Sequence, residues 1–367
     1  MNGQRATIAL IIDGLPGGGA ERVVLTLAEK MAQAGHEVTI VSLRAVCDYT
    51  IPTGVGYLLV EDNGGHGPLR RVREIARRAA LLDRALATHY GERPIDLAIS
   101  NLPKTDRIVA ASQRLRQAWM CLHCALTAGE LVNRTPWKRW LKLRQFRRTY
   151  GGRPLITVSA ALQDDVRSLG IQPTRMVAIY NPFPLDAIRQ KAQEPCPMDG
   201  EEFVVHAGRF NRQKRHDRLF EAFRLSAFTG KLVLLGSGSE AEVAAMQAMV
   251  QHYGLADRVV FAGFQQNPYS YMRAARALVL TSDYEGFGNV LVEALACGTP
   301  VVSTDCPCGP NEILTGPLAI SLAELSAESV AARLDAVLAS PPTIDQAALE
   351  RFGVDQVTQQ YLALLPG

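Results

Sequence analysis

The sequence predicts an α/β chain made of two doubly wound domains, and three observations carry that expectation. Apolar runs of strand length alternate with helical segments along the chain. Glycine-rich turns join many of the runs to the helix that follows. A proline-dense break without periodicity, over 181–200, separates two stretches with the same rhythm. At 367 residues the chain exceeds one ordinary core, so two are expected. The divisions read as 1–182, 183–350 and a closing helical segment, 351–367, placed to pack back on the first domain.

The first domain opens with a strand over Ala6–Ile12, a loop Asp13-Gly14-Leu15-Pro16-Gly17-Gly18-Gly19-Ala20-Glu21, a helix over Arg22–Ala34 and a strand over Val38–Ser42. That order is a βαβ unit, which implies a parallel sheet. The G-x-G-x-x-G spacing of dinucleotide sites is absent. Three adjacent glycines ahead of a helix still fit either a ligand approaching the backbone or a plain strand-to-helix turn. Arg70–Leu86 reads as a basic, solvated outer helix, Ile95–Ser100 as a buried strand and Trp119–His123 as another. His123 then sits at a strand's carboxyl end, where ligands of open α/β sheets gather, although a structural histidine fits equally. Strands at Leu155–Ser159 and Met176–Tyr180 flank a helix at Ala160–Leu169.

The second domain repeats the pattern, with strands at Phe203–Gly208, Lys231–Leu235 and Arg258–Phe261 and helices at Asp217–Ser226, Glu240–Tyr253 and Pro268–Ala275. Its densest stretch is Val279–Glu312, which reads as strand end, glycine turn, helix over Val290–Ala296, strand over Thr299–Ser303 and turn. Glu285 and Glu293 bracket the helix start. A helix N-terminus suits a phosphate, and an ionised carboxylate accepts hydrogen bonds from sugar hydroxyls. Alone, the stretch is compatible with binding a nucleotide sugar or with hydrolysis by two carboxylates.

Composition narrows the classes. A net charge of +3 does not mark the whole chain as a nucleic-acid protein. Seven cysteines, an odd number, argue for a reducing compartment. The apolar run Ile8–Ile12 is too short for a signal core or a membrane span, so a cytoplasmic location is expected. Cys121, His123 and Cys124 have no second pair of metal-ligand spacing nearby, so no metal is expected. Charge is concentrated in 134–150, RTPWKRWLKLRQFRRTY, which holds seven Lys and Arg, no acid and two tryptophans. Trp137, Lys138, Arg139, Trp140, Lys142, Arg144, Arg147 and Arg148 suit an anionic membrane surface. A basic helix packed by its tryptophans is the second reading, and nucleic acid a distant third.

Three segments together carry a family likeness: Gly208-Arg209-Phe210-Asn211-Arg212-Gln213-Lys214, Val260-Phe261-Ala262-Gly263-Phe264, and Glu285-Gly286-Phe287-Gly288-Asn289-Val290-Leu291-Val292-Glu293-Ala294. With Gly17-Gly18-Gly19-Ala20-Glu21-Arg22 they resemble glycosyltransferase family 4, over nearly the whole chain and most firmly over 203–312. The resemblance implies a GT-B fold, two Rossmann-like domains facing across a cleft, and retaining, metal-independent transfer from a nucleotide sugar, UDP by family habit. It implies that Arg209 and Lys214 hold the donor diphosphate, and that Glu285 lies near the donor sugar. Glu293 would bind the ribose, Gly288, Asn289 and Val290 would form the phosphate seat, and Gly286 and Phe287 would be further donor-binding residues. Gly263 and Phe264 would meet the base, and Gly17, Gly18 and Gly19 would face the reacting centre. His123 would be the first-domain active-site histidine, although Cys124-Ala125-Leu126-Thr127 after it lacks the polar residues expected there. Asn211, Arg212 and Arg215 make the phosphate loop unusually basic.

The acceptor expected beside the basic stretch is a lipid-linked glycan or lipopolysaccharide precursor, with the protein peripheral on the inner face of the plasma membrane. Competing classes are a nucleotide-sugar epimerase of the same architecture, a glycosidase, and a non-enzymatic binder of anionic lipid. A glycosidase would use carboxylates about 5 to 9.5 Å apart, but hydrolysis leaves the phosphate-suited loop unexplained.

Overall fold

The computed structural model describes residues 5–62, 68–132 and 134–366. The chain divides into two compact units, Met1–Pro182 with Val354–Gly367, and Phe183–Gly353.

In the first unit, β1 (Thr7–Ile12), α1 (Gly19–Gln33), β2 (Glu37–Ser42), β3 (Gly56–Leu59), α2 (Pro68–Tyr90) and β4 (Leu97–Asn101) lead into α3 (Pro103–Ala111). β5 (Trp119–Leu122), α4 (Pro136–Tyr150), β6 (Pro154–Thr157), α5 (Ala161–Ser168) and β7 (Arg175–Ala178) complete its sheet. The strands are all parallel in the order β3-β2-β1-β4-β5-β6-β7. Strand order reverses at β1, which has β2 on one side and β4 on the other. Crevices at such a reversal are the ligand sites of open α/β sheets. Ile8, Leu10, Ile11 and Ile12 are buried, as a central strand covered on both faces requires.

The second unit runs α6 (Leu185–Ala192), β8 (Phe203–Ala207), α7 (His216–Leu225), β9 (Lys231–Leu235), α8 (Glu240–His252), β10 (Val259–Gly263), α9 (Tyr269–Ala274), β11 (Leu278–Leu280) and α10 (Asn289–Ala296). It closes with β12 (Val301–Thr304), α11 (Pro310–Ile313), β13 (Leu322–Ala323) and α12 (Ala327–Ala339). Its sheet is again parallel, in the order β10-β9-β8-β11-β12-β13. α8 starts on a capping box, Ser239 accepting from the Glu242 amide while Glu242 accepts from the Ser239 amide at 2.7 Å.

α13 (Val354–Leu362) belongs to the first unit, as the closing segment was expected to. It is tied there by Lys30 to Asp355 at 2.8 Å and by the buried Tyr361, whose hydroxyl lies 3.7 Å from Cys121 Sγ. Burial pushes the Cys121 thiol up to about 12, so it packs as a neutral group.

Two expectations need correction. The helix read as solvated contains Arg78, which is buried and donates from Nη2 to the Leu43 carbonyl at 2.6 Å. β3 was not among the expected strands; its short Gly-Tyr-Leu-Leu run is only partly buried, at the edge of the sheet.

Asp106 of α3 is completely buried and accepts from Ser100 at 2.6 Å and Tyr150 at 3.0 Å, pinning α4 to β4. Burial pushes its carboxyl from 3.8 up to about 7, against the lowering effect of those two bonds. A pKa raised on folding contributes stability that is complete below the unfolded value and is lost as pH rises through the folded one. Unfolding by urea at pH 5 and pH 7.5 should therefore show the first unit losing stability with rising pH. Asp106→Asn should flatten that slope, and an equal slope in the variant would contradict it.

Candidate functional site

The second unit gathers its polar side chains where β8 and β11 end. β8 delivers Gly208 and Arg209, and a short 3₁₀ turn over Arg212–Lys214 leads to α7. Asn211 caps that turn by accepting from the Lys214 amide. Lys214 Nζ donates to Glu285 Oε1 at 2.7 Å, and Ser282 Oγ donates to the same oxygen at 2.6 Å. Both partners are largely withdrawn from water, at 14% and 10% side-chain exposure. An ammonium has three protons, so Lys214 can hold Glu285 and still offer donors to a second anion.

The turn carrying Lys214 is fixed from behind. Arg215 takes a left-handed conformation and binds Asp217 and Asp283, each at 2.9 Å, while Arg218 bonds Asp283 and the Thr281 carbonyl at the same distance. Arg215 therefore adds no free charge to the phosphate loop; its cation fastens the loop to the segment bearing Glu285. Arg209 is exposed, and its side chain has no hydrogen-bond partner among the described residues. His206 and His216 lie buried beneath the loop, 4.9 Å apart. Burial lowers both, and His216 falls to about 4 with the Lys214 charge as the next cause. Both stay neutral below the cationic loop.

α10 begins beside this pair. Gly288 occupies its N-cap at φ 95 with no side-chain cap, and α10's first amides are those of Asn289 and Val290. Helix-start amides lack intrahelical partners and favour an anion. Gly309 lies against the preceding turn so closely that a Cβ on it would stand 2.1 Å from the Phe287 carbonyl oxygen. Gly286 is buried in that turn. The Phe287 ring turns into the core, near Phe183 and Phe352, so only its main chain can serve a ligand. Glu293 is buried on α10. At the end of β10, the Gly263 carbonyl accepts from the Gly236 amide at 2.9 Å and the Phe264 ring is 66% exposed.

Gly17, Gly18, Gly19 and His123 belong to the first unit. Gly17 has φ 86, Gly18 is the extended N-cap of α1 and Gly19 its first residue. The loop is stitched to the segment after β2, Leu15 N donating to Val46 O and Asp48 N to Leu15 O. His123 Nε2 lies 2.9 Å from Asn101 Oδ1 at the adjacent strand end. The Asn101 amide nitrogen donates to the Ile11 and Ile99 carbonyls, leaving its oxygen to accept. His123 must therefore carry its proton on Nε2 and present the Nδ1 lone pair. Burial lowers its pKa to about 4. Sequence spacing could not find Asn101, since the pairing depends on β4 and β5 being neighbours.

The basic segment forms α4 with two distinct faces. Phe146, Thr149 and Tyr150 are buried, whereas Trp137 and Trp140 are 66% and 49% exposed and stacked on each other at 5.1 Å. Phe146 thus packs into the core while the tryptophans face outward. Lys142 pairs with Glu130 at 3.0 Å, and Arg147 donates to the Leu169 carbonyl at 3.0 Å. Lys138, Arg139, Arg144 and Arg148 are exposed and have no acidic partner among the described residues. No described helix is long and apolar enough to cross a membrane, and no described group of three His, Cys, Asp or Glu side chains could hold a metal ion.

Two family models tile the chain: Glycosyltransferase Family 4 matches residues 17–187, and Glycosyl transferases group 1 matches 188–352. An N-acetylgalactosamine-N,N'-diacetylbacillosaminyl-diphospho-undecaprenol 4-alpha-N-acetylgalactosaminyltransferase of Campylobacter jejuni is 27% identical over 309 residues, covering 83% of this chain and 82% of that one. The lipopolysaccharide 1,6-galactosyltransferase of Salmonella typhimurium is 29% identical over 165 residues, 43% of this chain and 45% of that one. Among solved structures, Anabaena HepE in complex with UDP-glucose superposes with a TM-score of 0.76 over 97% of this chain and 98% of that one, at 21% identity. The fold is that of the GT-B glycosyltransferases, two Rossmann-like units in one chain.

The Asn101 contact predicts that His123 stays a neutral Nε2–H imidazole from pH 8 down to about pH 5. Nitrogen-detected NMR titration of the ring should show this, and a midpoint above 6 would contradict it.

Proposed function

The chain belongs to the group 1, family 4 glycosyltransferases, and from that premise we propose that it moves a hexose or N-acetylhexosamine from a UDP-sugar to a lipid-linked glycan or lipopolysaccharide-type acceptor. The observation that carries this reading is the largely buried Lys214–Glu285 pair beside the glycine N-cap of α10, with Arg209 unpaired among the described residues at the end of β8. Negative charge grows on the leaving diphosphate as the glycosidic bond breaks. Arg209 offers a two-pronged fork, Lys214 a point charge and α10 its first amides, the kinds of donor that stabilise such a charge. These groups supply the role a divalent cation plays elsewhere, so the transfer is proposed to be metal-independent.

Glu285 is proposed to orient the donor sugar, because its Oε1 is already committed to Lys214 and Ser282. Glu293 is proposed to accept from the ribose, and the main chain at Gly263 and Phe264 to meet the base. No carboxylate is assigned as a nucleophile. Retention follows if the acceptor attacks from the face the diphosphate leaves, its proton passing to a departing phosphate oxygen. His123 fits the acceptor side: its neutral Nδ1 lone pair can accept a hydrogen bond from a hydroxyl.

The acceptor class is supported by the names of the relatives and by the outer face of α4. Four exposed cations at about 1 kcal/mol each near an anionic surface amount to roughly 4 kcal/mol. The stacked Trp137–Trp140 pair supplies the apolar contact such a helix needs. The location proposed is therefore the inner face of the cytoplasmic membrane.

In a transfer assay, UDP release should require both the UDP-sugar and a lipid-linked acceptor, and should continue in excess EDTA. Lys214→Ala should lower kcat at least about 100-fold with the fold intact by circular dichroism, as for loss of one preorganised donor to a developing anion. Interconversion of the nucleotide sugar without acceptor would identify an epimerase instead, and full turnover in Lys214→Ala would refute the proposed site. For the membrane face, Lys138→Glu/Arg139→Glu/Arg144→Glu should weaken binding to phosphatidylglycerol vesicles by two orders of magnitude or more, from about 1 kcal/mol per cation. Trp137→Ala/Trp140→Ala should weaken it with little change in salt dependence, and unchanged sedimentation with vesicles in both variants would exclude α4 as the contact.

A further inference from the structure

Asp13 follows β1 at the point where strand order reverses, and three cations converge on its carboxylate. Arg44 Nε lies 2.8 Å from Oδ2, while Arg78 Nη1 and Lys104 Nζ lie 3.7 and 3.9 Å from Oδ1. They arrive from the segment after β2, from α2 and from the first turn of α3. One carboxylate against three cations leaves two positive charges in excess. The cluster has an inner and an outer layer. Asp13 and Arg78 keep only 11% and 8% of their side chains in solvent, whereas Arg44 and Lys104 keep 48% and 46%.

The inner pair acts as a pedestal. Asp13 engages Arg44 through Nε, and Nε also reaches the Asp13 carbonyl at 3.3 Å. The Nη1–Nη2 fork of Arg44 and the ammonium of Lys104 make no hydrogen bond among the described residues. Arg44 is further positioned by the stitched 46–48 segment that follows it, which Leu15 ties to the glycine loop. A guanidinium fork fixed in place next to a second cation matches the geometry and charge of a phosphate. Lys104 stands three residues after Asn101, so this cluster shares the strand-end rim with the Asn101–His123 pair.

We propose that Arg44 and Lys104, set by Asp13, form a subsite for a phosphate ester of the acceptor, separate from the donor diphosphate site of the second unit. This rests on the transferase reading above, in which the first unit takes the acceptor. The phosphate is either the diphosphate that joins a glycan to its lipid or a phosphate on an acceptor sugar, and the same cations recognise both.

The test uses the full chain with UDP present at saturation to fill the donor site, and inorganic pyrophosphate titrated by calorimetry. The wild type should bind one pyrophosphate beyond UDP. Arg44→Gln/Lys104→Gln should weaken that event at least about tenfold, the scale of one lost charge-assisted contact. Arg44→Lys should retain part of the affinity, because the charge stays and the fork goes. UDP affinity should be the same throughout, and Lys138→Gln/Arg139→Gln should leave pyrophosphate binding intact. Displacement by a short-chain polyprenyl diphosphate assigns the lipid linkage; displacement by a sugar phosphate alone assigns a phosphorylated acceptor sugar. Equal pyrophosphate affinity in the wild type and Arg44→Gln/Lys104→Gln, or displacement by neither compound, overturns the subsite. Failure of the wild type to bind UDP would count against the transferase reading itself.

Discussion

The second unit depends on one buried ion pair, Lys214 to Glu285 at 2.7 Å. Withdrawing two charges from water costs several kcal/mol for each ion, and their attraction only roughly offsets that cost. Such a pair is a poor device for stability, and apolar side chains of the same size would serve at least as well. What it does is hold an ammonium and a carboxylate at fixed positions beside the start of α10. The surroundings serve the same end: Ser282 shares the carboxylate oxygen, Arg215 and Arg218 clamp Asp283, and Gly309 lets the Phe287 turn lie close. Each contact joins the 208–218 segment or the 281–309 segment to the site, so the pair's geometry is set by both.

Much of this architecture was legible because the relevant signals are local. Apolar runs, glycine turns and helix-length segments mark β1 to α1, β8 to α7 and β11 to α10 without reference to any distant residue. Residues whose role is set by remote partners were not legible. Arg78 reads as one more cation on a basic helix, but Asp13 and the Leu43 carbonyl draw it inside. Arg215 reads as part of a phosphate loop, but Asp217 and Asp283 consume it. Within a basic run, sequence shows how many cations there are and not which of them are spent. Asn101 escaped notice for a related reason, since a single asparagine at a strand end carries no pattern.

α4 shows the same limit on one helix. Spacing of 100° per residue leaves room for two apolar faces in fifteen residues, and α4 has both. Phe146 and Tyr150 fill the core, with Tyr150 bonded to the buried Asp106, and Trp137 and Trp140 stack outward. Lys142 and Arg147 are paired off, to Glu130 and to the Leu169 carbonyl. Trp137, Trp140 and the cations Lys138, Arg139, Arg144 and Arg148 are all solvent-exposed, and the Arg144 guanidinium lies 5.6 Å over the Trp140 ring, so charge and aromatic surface are both offered to solvent by one helix. A solvated helix has no need to place two indoles there.

Protonation in the first unit follows from an arrangement of carbonyls. His123 takes its tautomer from Asn101, and Asn101 takes its orientation from the Ile11 and Ile99 carbonyls to which its amide nitrogen donates. Ile11 lies on the strand that runs into Asp13 and the glycine loop, two strands away from His123 in the sheet. A displacement of the end of β1 would therefore act in two places. It would move the carboxylate that positions Arg44 and Lys104, and it would loosen the amide that fixes the histidine proton. The parallel sheet couples the charge on one side of the rim to the lone pair on the other through backbone hydrogen bonds and one asparagine.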